Sequence, residues 1–170
     1  MKYDRKAHPL IYKGRLYRST LEVKWAVFFD YLGWKFEYEP MSFNNWIPDF
    51  ALYGHNQIIL IEVKPICEFD KEVAAKILTA SGGKYEILLL GLKPDWETNR
   101  LGWLYEKDWG MGWDEGWINA NKKYGFYHCS GSYRDRITGE YDGDNHLRTP
   151  MLNEIELLWN EACNKVQWLK

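Results

Sequence analysis

The segment QIILIEVK, residues 57–64, restricts the folds open to this chain more than any other segment. Residues 58–61 are all apolar, although successive side chains of a strand point to opposite faces of its sheet. A strand of this kind must be covered on both faces, which is typical of a central strand between layers of helices. The segment YEILLLG, residues 85–91, has the same character. Together the two segments predict an α/β fold with the sheet in the middle.

Patterns before this segment predict a helix and two further strands. Apolar residues recur at helical spacing from Ser19 to about Leu32, and Gly33 supplies a stop. KFEYEP, residues 35–40, alternates aromatic and acidic residues as a half-buried strand does. WIPDFAL, residues 46–52, predicts a second strand, and its proline, which lacks an N–H donor, favours a sheet edge or a bend.

The remaining patterns predict two more helices and a less regular region. One helix follows Asp70, which can cap its amino end. The predicted order is then helix, three strands, helix and strand. Residues 93–150 are rich in Trp, Tyr and Gly, and we expect short strands and loops packed on the same core. A helix is predicted over residues 151–169, with Thr149 able to cap it and Pro150 at its first position. Its apolar face comprises Leu152, Ile155, Leu158, Trp159, Ala162 and Val166.

Length and composition favour a single soluble domain in the cytoplasm. A chain of 170 residues falls in the size range of one domain with its own core. The amino terminus lacks the apolar segment of a secretory signal, and no apolar run reaches membrane-spanning length. Cys67, Cys129 and Cys163 are an odd number without a CxxC pair, which suits a reducing compartment. We therefore expect one domain over residues 1–170 and no membrane partner.

Charge is unevenly distributed along the chain. The net charge is −2, yet residues 1–18 contain six basic residues and one acidic residue, a net charge of +5. This end is either a solvated, partly disordered arm or a site for phosphate groups. A nearly neutral chain with one basic end can bind a polyanion locally without coating DNA in general.

Three charged residues lie where two of the predicted strands meet. Glu62 and Lys64 are two positions apart and project from one face, with the Val63 carbonyl between them. If the two strands pair as a hairpin across YGHN, residues 53–56, Asp49 lies opposite Glu62. Two carboxylates and a carbonyl form an oxygen-only site, which suits Mg²⁺ or Mn²⁺ better than Zn²⁺.

These charges also have structural interpretations. Glu62 and Lys64 could form an exposed ion pair at a strand end, although this does not explain why charges end a strand that is otherwise apolar on both faces. Asp49 could be a turn-forming residue after Pro48.

The segments IPD and EVK match the pattern of a nuclease superfamily. With Pro48 and Asp49 supplying the PD and residues 62–64 the (D/E)xK, the chain resembles the PD-(D/E)xK nucleases. Over about residues 15–92 it looks most like phage-encoded nucleases of this group and transposon end-cleaving endonucleases. The resemblance implies a restriction-endonuclease-like αβββαβ core, with a mixed central sheet flanked by helices. The Trp/Gly-rich region and the C-terminal helix would be additions to that core.

The resemblance implies a role for each charged position in metal-assisted hydrolysis of DNA. Asp49, Glu62 and the Val63 carbonyl would hold Mg²⁺, for which Mn²⁺ could substitute. Lys64 would orient or help activate the attacking water and offset charge on phosphorus. Glu22, on the first helix, is the usual fourth member and would fix a second metal or a water.

Glu22 has a competing structural interpretation. The run from Ser19 to Glu22 is also a capping box, in which the glutamate reaches back to the Ser19 amide. Both roles are compatible if the carboxylate turns when metal binds. The candidates for phosphate contacts are Arg15, Arg18 and Lys76.

Two other clusters fit a functional site less well. One lacks the spacing of a zinc site and consists of His128, Cys129 and His146. The other could stack nucleic-acid bases, but its interleaved glycines favour core packing under loops. It consists of Trp109, Trp113 and Trp117.

Three functions are consistent with the sequence. The first is a metal-dependent DNA endonuclease, acting on structures such as ends or branches, and the second is a nuclease directed at RNA. The third is a nucleic-acid-binding or assembly module that keeps the nuclease fold without turnover, although the presence of all four charged positions argues against it. The sequence leaves open whether the chain works as a homodimer or with a protein partner that selects its target.

Overall fold

The computed structural model describes residues 7–119, 124–141 and 153–169. These residues form three helices and nine strands. In chain order they are β1 (Leu10–Tyr12), β2 (Arg15–Tyr17), α1 (Thr20–Leu32), β3 (Phe36–Tyr38), β4 (Phe50–Gly54), β5 (Gln57–Val63), α2 (Lys71–Ser81), β6 (Glu86–Leu90), β7 (Arg100–Glu106), β8 (Gly112–Asn119), β9 (Gly125–His128) and α3 (Asn153–Gln167).

Seven of the strands form one mixed sheet in the order β3-β4-β5-β6-β7-β8-β9. Neighbouring strands are antiparallel except β5 and β6, which are parallel and are connected through α2. The strands β1 and β2 pair separately as a hairpin. The chain is therefore an α/β protein. The predicted order of helix, three strands, helix and strand is found from α1 to β6.

Apolar side chains cover both faces of the sheet. On one face α1 and α3 pack together, with the ring centroids of Trp25 and Trp159 4.6 Å apart. The other face packs against α2 through a separate apolar cluster. Strand β5 serves both clusters, because Ile59 and Ile61 belong to the first and Leu60 to the second. The predicted burial of this strand on both faces is confirmed.

Helix α1 begins and ends where the sequence predicts. The Ser19 hydroxyl accepts a hydrogen bond from the Glu22 amide at 3.2 Å, which satisfies one of the free donors of the first turn. Gly33 follows the last turn with φ of 75°, a left-handed conformation that glycine adopts without a steric penalty. Helix α2 is likewise capped by Asp70, as predicted.

The strand predicted for residues 46–52 begins later than expected. Strand β4 starts at Phe50 and is an inner strand, between β3 and β5. Pro48 has no amide N–H that could join a sheet ladder. Two residues earlier, the Trp46 amide donates to the Phe43 carbonyl at 3.3 Å, within the loop and not to the sheet. The proline therefore marks a bend before the strand.

The expectation of short strands and loops after β6 is wrong for residues 100–119. Strands β7 and β8 are long and extend the sheet beyond β6. Glycine within them is a packing requirement, since a Cβ on Gly102 would lie 2.4 Å from the Leu89 carbonyl oxygen. Glycines in strands weaken the alternating apolar pattern from which strands are predicted. The sequence pattern therefore did not predict this part of the sheet.

The apolar face predicted for the last helix is present in α3. Leu158 is half-buried, and the fully buried members of the face are Ile155, Trp159, Ala162 and Val166. Thr149, Pro150 and Leu152, predicted at the start of this helix, lie outside the described residues. Within the described ranges, no helix is both long enough and apolar enough to cross a membrane.

The basic amino-terminal segment folds as a hairpin from residue 10 onward, so the expected arm is wrong for this part, and residues 1–6 lie outside the described residues. Lys13 and Gly14 at its turn both have positive φ, 49° and 75°, as a two-residue type I′ turn requires. Tyr12 and Tyr17 are buried, and the Tyr12 hydroxyl donates to the Asp30 carboxylate at 2.5 Å. The tyrosine pair fixes the hairpin on α1.

A buried charged cluster lies at the end of the sheet where β6 begins. Arg136 Nε donates to Glu86 at 2.8 Å, and its Nη2 donates to Glu106. Its Nη1 donates to the Ser132 and Arg134 carbonyls. Burial raises the pKa of Glu86 from 4.5 to about 7, in spite of the hydrogen bond from Arg136. One guanidinium thus neutralises only one of two buried carboxylates and ties the loop before residue 136 to the sheet.

This cluster should make stability fall as pH rises. Because the pKa of Glu86 is higher in the folded chain than in the unfolded chain, the folded state holds the extra proton between pH 4.5 and about 7. Glu86→Gln, which imitates the protonated acid, should raise the free energy of unfolding at pH 8 by about 1–3 kcal/mol and flatten this slope. Urea unfolding from pH 5 to 8 measures both. Glu161→Gln, at an exposed position of α3, is the control, and equal pH slopes in both variants would contradict the expectation.

Candidate functional site

A cleft of about 640 Å³ opens where β5 ends, beside the start of α1. Five sequence-predicted positions line it, namely Glu22, Asp49, Glu62, Val63 and Lys64. Arg18, predicted to contact phosphate, lines it as well. The rest of its wall comes from the segment between β3 and β4, through Ser42, Phe43, Asn45, Trp46 and Ile47, and from Ala7.

The register of β4 and β5 brings the two predicted strand-end carboxylates together. Phe50 pairs with Ile61 and Gly54 with Gln57, so the two strands form the hairpin that the sequence predicted. Asp49, one residue before β4, therefore lies level with Glu62. The two residues are only 4 % and 5 % exposed.

Asp49 is held by one carboxylate oxygen and faces a cation with the other. Its Oδ2 accepts a hydrogen bond from the Val63 amide at 2.8 Å, while Oδ1 lies 3.5 Å from Arg18 Nη2. Burial, and then repulsion from Glu62 and Glu22, raises the pKa of Asp49 to about 8, although the Val63 amide and Lys64 lower it. The site is thus short of positive charge when Asp49 is ionised.

Glu62 repeats this arrangement. Its Oε2 accepts a hydrogen bond from Trp46 Nε1 at 2.8 Å in a buried contact, and its Oε1 lies 2.5 Å from Lys64 Nζ. The Lys64 side chain is 40 % exposed, so its ammonium group can move away from Glu62 without breaking core packing. The ion pair considered from the sequence is therefore present, but it is not fully exposed, because the glutamate is buried.

Glu22 is held by neutral donors at both oxygens. The Ser19 hydroxyl donates to Oε1 at 2.9 Å, and the Tyr38 hydroxyl donates to Oε2 at 2.6 Å. The backbone amide that reaches its carboxylate is that of Arg18, at 3.3 Å, one residue before the amide expected for a capping box. Burial and the bond to Glu22 raise the pKa of Tyr38, so the phenol stays a donor. The carboxylate both supports the helix start and lines the cleft.

The donor chemistry of the cleft suits a hard cation. Asp49 Oδ1 and Glu62 Oε1 each already face a positive group on a partly exposed side chain, Arg18 or Lys64. Oxygen ligands of this kind favour Mg²⁺ or Mn²⁺ over Zn²⁺. In the described ranges, no three His, Cys, Asp or Glu side chains already converge as a metal-holding group. A bound cation would therefore take the places of Arg18 and Lys64.

The other two predicted phosphate contacts lie outside the cleft lining. Arg15 Nη1 donates to the Tyr38 carbonyl at 3.3 Å, which places its side chain beside β3. Lys76 is exposed on α2. Both remain predictions, while Arg18 lies in the cleft and also pairs with Glu39.

Described members of the two alternative clusters are held by hydrogen bonds or ring contacts. Both ring nitrogens of His128 are used, since Nε2 contacts the Gly112 carbonyl at 3.1 Å and Nδ1 accepts from the Ser130 amide at 3.2 Å. His146 lies outside the described residues. Packing explains Trp113, whose ring lies 5.7 Å from that of Phe69.

The expectation of core packing is wrong for one of the three tryptophans. Trp109 is 71 % exposed beside the β7–β8 turn, where Gly110 and Gly112 have positive φ. Trp117 is half-buried, with its ring 6.0 Å from that of Tyr127.

Sequence reasoning missed two residues that hold the carboxylates. Trp46 donates to Glu62 and Tyr38 donates to Glu22. Tyr38 carried a weak signal, because it alternates with glutamates on a predicted strand and its hydroxyl needs a partner when buried. Trp46 carried none, because it lies in the loop before β4.

The fold and the cleft define an α/β protein with a buried pair of carboxylates at the end of its central antiparallel hairpin. No family model, curated protein or solved structure matches the chain.

The paired carboxylates should destabilise the metal-free protein. Asp49→Asn keeps an acceptor for the Val63 amide and removes the repulsion from Glu62. Because the raised pKa of Asp49 makes the wild type lose stability as pH rises from 3.8 toward about 8, the variant should be more stable at pH 8, by about 1–3 kcal/mol. Chemical unfolding in EDTA tests this against Asp108→Asn, at an exposed control position. A less stable Asp49→Asn variant would show that the ion pair with Arg18 outweighs the repulsion.

Proposed function

We propose that this chain is a metal-dependent nuclease of the PD-(D/E)xK type that hydrolyses phosphodiester bonds in DNA. One observation carries the proposal: Asp49 and Glu62 lie side by side, buried at the end of the β4–β5 hairpin, with Lys64 on Glu62 and Glu22 lining the same cleft. A strand pair that only had to fold gains nothing from such repulsion. Active sites are where pKa values raised by burial and like charge are concentrated.

The fold is consistent with the proposal. The order α1, β3, β4, β5, α2 and β6 matches the αβββαβ order of a restriction-endonuclease-like core. Helices cover both faces of the mixed sheet, and β7, β8 and β9 extend it from β6. In this interpretation Asp49 is the PD aspartate and residues 62–64 are the ExK.

The cleft residues divide the work of hydrolysis among them. Asp49 Oδ1 and Glu62 Oε1, with the Val63 carbonyl, would hold Mg²⁺ or Mn²⁺. The cation would supply charge that polarises a phosphoryl oxygen and acidifies the attacking water. Lys64, released from Glu62, would orient that water and offset negative charge growing on the phosphate. Glu22 would orient a second cation or a water.

Arg18 has a substrate role in this proposal. Its guanidinium lies at the cleft with its side chain 59 % exposed, and guanidinium groups bind phosphate through paired N–H donors. If Asp49 held a divalent cation, Arg18 would lose one of its two carboxylate partners and could contact the DNA backbone.

Cleavage of a mixed panel of nucleic acids tests the function. With Mg²⁺ or Mn²⁺, wild type should cut DNA among single-stranded, duplex and branched substrates, and EDTA should abolish this. Lys64→Ala and Asp49→Ala should each lower the cleavage rate by about 100-fold or more, because the first removes the cation that offsets charge on the phosphate and the second removes a ligand of the divalent cation. Lys165→Ala and Asp108→Ala, at exposed positions away from the cleft lining, should cut as wild type does.

Each other outcome of this panel has a definite meaning. Cleavage of RNA alone would move the substrate class to RNA and keep the site. Binding without any metal-dependent cleavage would favour a module that retains the fold without turnover. Activity that survives both cleft substitutions would disprove the site.

A further inference from the structure

Trp46 makes a contact that packing alone does not require. Its indole N–H donates to Glu62 Oε2 at 2.8 Å, and the ring is 7 % exposed in the apolar cluster that faces α2. We propose that Trp46 is a positioning residue, which fixes the Glu62 carboxylate so that Oε1 is presented to a divalent cation in the cleft. This inference rests on the proposed function, because it assigns the support of one of that site's ligands.

The segment around Trp46 is built to hold the indole in one place. Phe43 and Trp46 form a tight turn, with the Phe43 amide donating to the Trp46 carbonyl at 2.8 Å. Asn45 within the turn has φ of 62°, a conformation that asparagine tolerates better than most residues. The Phe43 and Trp46 rings stack with centroids 5.5 Å apart and planes 20° apart. The Phe43 ring also meets Tyr85, just before β6, at 5.8 Å.

The chemistry of the donor decides what the contact can do. A carboxylate held at only one oxygen keeps a defined rotation and leaves its other oxygen free for a ligand. An indole N–H is neutral, so it fixes Glu62 without cancelling the charge that attracts a cation. Lys64 cannot serve this purpose, because it contacts Oε1, the oxygen to be presented, and its side chain is 40 % exposed. Donors that orient metal ligands typically change metal affinity by about 10–100-fold.

A matched pair of tryptophan substitutions separates positioning from packing. Trp46→Phe keeps an aromatic ring against Phe43, but it removes the N–H donor and reduces the volume of the ring. Trp34→Phe is the control: Trp34 stacks on Phe29 at 5.3 Å and 21°, and its N–H donates to the Tyr124 carbonyl at 2.8 Å. Both variants lose one indole hydrogen bond of the same length, but only one of these bonds reaches a cleft carboxylate.

Mn²⁺ binding without nucleic acid is the primary measurement. By titration calorimetry, Trp46→Phe should bind Mn²⁺ about 10-fold more weakly than wild type or worse, while Trp34→Phe should stay within about 2-fold. In cleavage assays, the half-saturating Mn²⁺ concentration of Trp46→Phe should rise by a similar factor, with kcat near that of wild type at saturating Mn²⁺. A purely structural role would lower Tm in EDTA and leave both metal readouts unchanged.

A second variant covers the case in which Trp46→Phe does not fold. Phe43→Leu removes the stack and keeps the N–H, so its Mn²⁺ affinity should be lower than that of wild type, by less than the roughly 10-fold expected for loss of the donor. Wild-type Mn²⁺ affinity in Phe43→Leu, and in Trp46→Phe where that variant folds, would overturn the role of Trp46 and leave the nuclease proposal standing. Absence of Mn²⁺ binding by wild type, together with absence of cleavage, would overturn the proposed function and this inference with it.

Discussion

Strand β5 determines the geometry of the molecule, because it is buried on both faces and pairs in opposite senses on its two sides. Its antiparallel pairing with β4 sets the register that brings Asp49 level with Glu62. Its parallel pairing with β6 demands a crossover, which α2 supplies. Glu62 is the penultimate residue of this strand. The carboxylates of the cleft are therefore buried by the same core that covers this strand.

Two buried carboxylate pairs lie in the described part of the chain, and they differ in how their charge is balanced. Glu86 and Glu106 share Arg136, which is 2 % exposed and also bonded to two backbone carbonyls. None of these three side chains can move out of the cluster without leaving a buried charge unpaired, so the cluster cannot exchange a partner. Asp49 and Glu62 instead face cations on the partly exposed side chains of Arg18 and Lys64. Arg18 and Lys64 can therefore move away from the second pair and be replaced by another cation, as a ligand-binding site requires.

The sequence predicted the first part of the sheet well and the second part poorly, for a physical reason. Strand β5 has an uninterrupted apolar run, and helix α1 has apolar residues at helical spacing between clear capping residues. The positions of both elements, and the β4–β5 hairpin, could therefore be predicted from the sequence. Strands β7 and β8 contain glycines at positions where backbone approaches backbone, as at Gly102, and glycine contributes no periodicity. Asp49, Glu62 and Lys64 were found because charge at a strand end is conspicuous, whereas Glu22 was found only through the resemblance to the nuclease superfamily. The neutral donors that hold these carboxylates were not predicted, because the Trp46 contact depends on a loop conformation that no periodic pattern encodes.

The distances in sequence between bonded groups add a further consequence of the β4–β5 hairpin. The bond from the Val63 amide to Asp49 closes a separation of 14 residues, whereas the bond from Trp25 Nε1 to the Gly91 carbonyl closes one of 66. Loop-closure entropy makes the shorter closure less costly by about 1.4 kcal/mol, taking three halves of RT times the logarithm of the ratio. The chain thus brings its two repelling carboxylates together where the loss of conformational freedom is small. The electrostatic penalty of the cleft therefore coincides with a small entropic penalty, whereas the larger entropic penalty belongs to the contact between α1 and the residue that follows β6.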